Sequence, residues 1–91
     1  MKKGVHLIVS GMVQGVGFRY HVHHSARRHY LAGWVKNLPD GRVETTAEGA
    51  EEELREFVKE VKKGSRFSRV DDVQVEWLSF TNQFNAFQMI D

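Results

Sequence analysis

Ninety-one residues make one domain, because too little chain is left over for a second core. Thirteen Lys and Arg against twelve Asp and Glu give a formal charge of +1, without the strong basic excess of a nucleic-acid binder. The chain has no cysteine, which excludes a disulfide scaffold, thiolate chemistry and Cys-ligated zinc and leans towards a reducing compartment.

Met1-Lys2-Lys3-Gly4 runs straight into a strand-like segment instead of a signal peptide, and no apolar run approaches the ~18 residues of a membrane span. The expectation is a cytoplasmic monomer with neither membrane nor nucleic acid as partner. Val5, Leu7 and Val9 alternate with His6, Ile8 and Ser10, which predicts a strand apolar on both faces and therefore central in its sheet. Gly11 to Gly17 holds three glycines in seven residues and predicts a loop. Phe18, Val22, Ala26 and Tyr30 then recur at every fourth position, predicting a helix of about three turns that ends near Gly33. His21, His23, His24 and His29 crowd this helix. His21 and His24 share a face, yet a solvated face is the simpler reading than a metal pair.

Gly33 to Leu38 predicts a short strand, and Pro39-Asp40-Gly41 a turn. The chain returns with Val43, Thr45 and Ala47 facing in and Arg42, Glu44, Thr46 and Glu48 facing out. Leu54, Phe57, Val58 and Val61 form one helical stripe, with Glu51, Glu52 and Glu53 at its positive end, Lys62 and Lys63 at its negative end, and Gly64 closing it. Val73, Val75 and Trp77 predict a further strand, and Phe84 to Ile90 a short last one. Trp34, Phe57, Phe67 and Trp77 are read as core packing, not as base-stacking platforms. The order β-α-β-β-α-β plus a short extra C-terminal strand predicts an α+β, ferredoxin-like sandwich, with two helices on one face of an antiparallel sheet.

The segment with chemical content is Gly11-Met12-Val13-Gln14-Gly15-Val16-Gly17-Phe18-Arg19, which joins a strand to a helix N-terminus. Backbone N–H groups there lack intrahelical acceptors, and glycines let several of them converge on an anion. Arg19 adds a planar fork that matches two phosphate oxygens. The segment is neither a nucleotide P-loop, since no Gly-Lys-Ser/Thr follows Gly15, nor a dinucleotide fingerprint, whose third glycine would fall on Tyr20. On spacing alone, glycines that merely turn the chain and a solvated Arg19 stay an open alternative.

Residues 11–19, taken with Gly33-Trp34-Val35-Lys36-Asn37 and Asp40-Gly41, resemble the acylphosphatase family, and the likeness runs from about Val5 to Ile90. The resemblance implies hydrolysis of acyl phosphates, the carboxyl-phosphate anhydrides, to a carboxylate and inorganic phosphate. It implies that Arg19 binds the phosphate together with Gln14, Gly15, Val16, Gly17 and Phe18, and that Asn37 orients the attacking water. It assigns nothing to the histidines, and it implies no metal and no cofactor. The chemistry suits these residues. A carboxylate leaving group, with a conjugate-acid pKa near ~4, departs without a general acid, and phosphoryl transfer asks chiefly for positioning and charge stabilisation. Inorganic phosphate or sulfate is expected to compete. The alternative is a non-catalytic module of the same fold that holds a small anion without turnover.

Overall fold

The computed structural model describes residues 1–91. Five strands and two helices follow in the order β1 (Lys2–Met12), α1 (Phe18–Arg28), β2 (Ala32–Asn37), β3 (Val43–Ala50), α2 (Glu51–Lys63), β4 (Arg69–Leu78) and β5 (Phe87–Ile90). The sheet order is β4-β1-β3-β2-β5. Every neighbouring pair is antiparallel except β2 and β5, which run parallel, so the extra strand turns the expected antiparallel sheet into a mixed one.

Strand alternation decides which side the helices cover. Val5, Leu7 and Val9 lie in register with Ala47, Thr45 and Val43, and all six are fully buried. Phe18, Val22 and Ala26 of α1 and Leu54, Phe57, Val58 and Val61 of α2 pack onto this face. Burying each large side chain of the α2 stripe contributes about 1.5–3 kcal/mol. The acidic first turn of the same helix is worth only about 0.3–1 kcal/mol per charge. The stripe therefore seats the helix, and the charges only tune its ends.

Several expectations are corrected. The first strand continues through Gly11 and Met12, because a bulge between Ser10 and Gly11 lets it follow β4. Gly11 sits at φ 133°, where a Cβ would lie 2.1 Å from the Arg69 carbonyl, so only glycine fits the bulge. β1 is the interior strand expected, paired on both sides, but its second face is only half-buried. Helix α1 stops before Tyr30. There the chain turns left-handed (φ 60°), with the Leu31 N–H donating to the Ala26 carbonyl at 2.9 Å and the Tyr30 N–H to the Arg27 carbonyl at 3.1 Å. This is a Schellman closure that buries Leu31 and leaves Tyr30 exposed.

Glu48 keeps its expected place on the face away from the helices, but residues 81–82 bury it there. Its carboxylate accepts from the Thr81 N–H (2.9 Å), the Thr81 hydroxyl (2.7 Å) and the Asn82 N–H (3.0 Å), which compensates its burial. Of the four aromatics assigned to the core, only Phe57 is fully buried. Phe67 and Trp77 are exposed on the surface, and Trp34 lies half-buried with Lys36 Nζ 5.2 Å from its ring. Trp77 points to the helix side, but on edge strand β4, where it stays partly exposed with the Arg55 guanidinium 4.9 Å from its ring centroid.

Candidate active site

The loop from Val13 to Gly17 leaves the end of β1 and delivers the chain to Phe18, the first residue of α1. Gly15 (φ 73°) and Gly17 (φ 78°) are left-handed, with Val16 between them at negative φ. Alternation of this kind turns successive N–H groups to one side and makes an anion-binding concavity. None of the N–H groups from Gln14 to Gly17 donates to a backbone carbonyl, and Gly17, which precedes α1, offers it no side-chain cap. The first-turn amides add the positive end of the helix dipole.

Arg19 lies in that first turn, its side chain about one-third exposed. Its Nη1 donates to the Ile90 carbonyl at 3.0 Å and sits 3.5 Å from the Asp91 carboxylate. Its Nε and Nη2 make no hydrogen bond within the protein, so one edge of the guanidinium is anchored to β5 and the rest of the fork is open. Asn37 ends β2 opposite Val43, on the helix-covered side of the sheet shared with Val35. Its Oδ1 is buried without a hydrogen-bond partner. A polar atom held in this way costs stability, about 1–3 kcal/mol on typical figures, unless something outside the protein completes it.

These groups meet in one cleft of about 260 Å³, lined by Val13, Gly15, Gly17, Phe18, Arg19, Tyr20, Asn37 and Met89. Four of the eight lining residues are apolar, and Tyr20 and Met89 carry the exposed part of that wall. Phe18 contributes its backbone; its ring is buried in the core. Val16 packs against the core beside it. Gln14 is the member of the segment that the structure places differently. Its side-chain NH₂ donates to the Leu38 and Arg42 carbonyls, each at 2.8 Å. Sequence reasoning also missed Ile90, whose carbonyl lies 71 positions from the arginine it holds. No local pattern announces a partner at that separation.

Of the helix histidines, His24 is exposed as expected, but His21 and His29 turn towards α2. His21 Nε2 lies 3.1 Å from the Glu60 carbonyl, and His29 bridges two carboxylates of α2, Glu53 at 2.7 Å and Glu60 at 3.0 Å. Burial alone would lower the His29 pKa, but the Glu60 and Glu53 carboxylates together outweigh it and raise it above the ordinary value. Burial would likewise raise Glu60, yet Ser25, His29 and Arg28 hold its carboxyl below the usual range. Both groups belong to the contact between the helices, outside the cleft.

A glycine-rich nest, one arginine and one unpartnered asparagine amide come together on a two-helix sheet, the set of groups that a small-anion site uses. Comparison with known proteins narrows the class. A family model described as Acylphosphatase matches residues 5–89. The chain is 52% identical to an acylphosphatase from Bacillus licheniformis over 91% of its own length and 92% of that protein's. It is 59% identical to one from Bacillus velezensis over 78% and 79% of the two lengths. A crystal structure of acylphosphatase from Bacillus subtilis superposes with a TM-score of 0.94 at 47% identity, covering all of both chains. The chain belongs to the acylphosphatase family.

Proposed function

We propose that this enzyme hydrolyses acyl phosphates through the cleft just described, with roles divided between the loop after β1 and the end of β2. The N–H groups of residues 15–19 and the Arg19 fork receive the phosphoryl oxygens, while the Asn37 amide holds a water against the phosphorus. The water oxygen forms the new P–O bond, the anhydride P–O bond breaks with its electron pair going to the carboxylate, and the water proton passes to the substrate's own oxygens. Tyr20 and Met89 form the apolar wall available to the acyl group. The observation that carries this reading is the Asn37 Oδ1, buried and unpartnered in the same cleft as the open edge of Arg19.

The same reading extends to a monomeric, cytoplasmic enzyme that works without a metal. One chain supplies every group named, and the cysteine-free sequence suits a reducing compartment. No helix is long and apolar enough to cross a membrane. The test is release of phosphate from acetyl or benzoyl phosphate in excess EDTA. Undiminished turnover, competitively inhibited by inorganic phosphate and by sulfate, is the expected result. A large loss restored by Mg²⁺ or Zn²⁺ would reject the mechanism.

A further inference from the structure

We infer that Gln14 is a positioning residue that holds the anion loop and Asn37 at a fixed separation, and is not itself a phosphate ligand. The inference rests on the acyl phosphate reading above. Gln14 is half-buried and spends both amide hydrogens on one structure, the turn that follows Asn37. Its Nε2 donates to the Leu38 carbonyl at 2.8 Å and to the Arg42 carbonyl at 2.8 Å. Both partners only accept, so the NH₂ and not the oxygen must face them. Leu38 directly follows Asn37, and Gly15 directly follows Gln14. The Leu38 bond therefore ties the two halves of the site within one residue of each, and the Arg42 bond holds the far side of the same turn.

The turn does not need this pin to close. The Leu38 N–H donates to the Arg42 carbonyl at 2.8 Å and the Gly41 N–H to the Leu38 carbonyl at 3.1 Å. Asp40 Oδ1 accepts from the Arg42 N–H at 3.1 Å. Each carbonyl bound by Gln14 thus keeps a second donor of its own, so removing the glutamine strands no buried acceptor. What disappears is the link from the β2–β3 turn to the loop. In-line attack depends on where the water stands relative to the bound phosphorus, and this link sets that distance.

The test is Gln14→Met, which keeps length and lack of charge but removes both donors. Wild-type turnover of benzoyl phosphate is read first; its absence would bring down the acyl phosphate reading itself. With turnover present, Gln14→Met should lower kcat about tenfold or more while inhibition by inorganic phosphate shifts by less than about twofold, because misplacement of one reactant is costly even where binding survives. In an Asn37→Ala background the same substitution should cost less than about twofold in kcat, since no positioned water is left to misplace. Gln14→Asn, one methylene too short to span both carbonyls, should show the same split and covers the case in which the methionine variant fails to fold. Losses that multiply in the double variant would overturn the inference. So would weakened phosphate inhibition with kcat intact, the pattern of a direct anion ligand.

Discussion

Asn37 is the residue at which stability and activity should part. A strand-end asparagine ordinarily earns its place by capping the turn behind it. Here the turn is closed by backbone bonds and by Asp40, and the Asn37 Oδ1 satisfies nothing. Asn37→Ala should therefore leave the melting temperature unchanged or slightly raised, since it deletes a buried polar atom that had no partner. The same substitution should lower kcat by orders of magnitude while phosphate inhibition stays near normal, as for a group that acts only in the transition state. A destabilised but fully active variant would remove Asn37 from the mechanism. Arg19→Lys tests the other half. Lysine keeps the charge but loses the second in-plane donor, and a fall in kcat/KM on the order of 10²-fold is expected, the scale of one preorganised donor lost from an oxyanion site. Near-normal kinetics would demote Arg19. At this scale the sequence was legible where a residue type carries its own chemistry, as arginine and glycine do. It was not legible for the Gln14 side chain, because no local pattern shows that its amide donates to the Leu38 and Arg42 carbonyls across the turn.

Between elements, the contact that the sequence concealed is the one joining α1 to α2. Periodicity placed both helices and the apolar residues between them, since burial of Val22, Ala26, Leu54 and Phe57 is what periodicity encodes. It misjudged Tyr30, because helix termination by a left-handed residue overrode the four-residue repeat. It also misjudged His29, whose carboxylate partners lie on another helix. His29 has carboxylates at both ring nitrogens, and both can accept at once only from the imidazolium. The charged groups around it are Glu53 and Glu60 of α2 and Arg28 of its own helix, which also pairs with Glu60. Because its folded pKa is raised, its contribution is fully present below the unfolded value of about 6.5 and is lost as pH rises through the folded one. Glu60 is depressed, so its contribution is lost instead as pH falls through its lowered value. The urea midpoint of wild type should exceed that of His29→Gln by its largest margin between about pH 4.5 and 6.5, and the gap should close on the alkaline side. A gap that stays constant up to pH 9 would show that His29 acts by packing alone.

For the molecule as a whole, the last strand does more than extend the sheet. Without β5, β2 would be an edge strand, and the strand carrying Asn37 would have no neighbour on its outer side. Phe87 fixes β5 in the core, its ring 6.2 Å from that of Phe57, and three residues later the Ile90 carbonyl receives Arg19 Nη1. The sequence made the strand readable from its alternation but not its direction, because parallel pairing with β2 depends on where residues 79–86 carry the chain. A variant ending at Met89 isolates the consequence for the site. Phe87 remains, so the fold should survive with a cost of about 1 kcal/mol, or about 4–8 °C in Tm for a domain of this size. Arg19 would then sample several rotamers, and ordering it on each binding event costs about 0.5–1.5 kcal/mol, which predicts a 2- to 12-fold weaker phosphate inhibition. The KM for acyl phosphate should rise in parallel while kcat changes less, the reverse of the Asn37→Ala pattern. Removing Asp91 acts in the opposite sense, since its carboxylate stands 3.5 Å from the same guanidinium and competes with any anion. Asp91→Asn in the full chain is therefore the necessary control, and it should leave phosphate inhibition unchanged or slightly stronger. If the shortened variant binds phosphate as tightly as Asp91→Asn does, the Ile90 carbonyl does not orient Arg19, and the arginine is held by the helix alone.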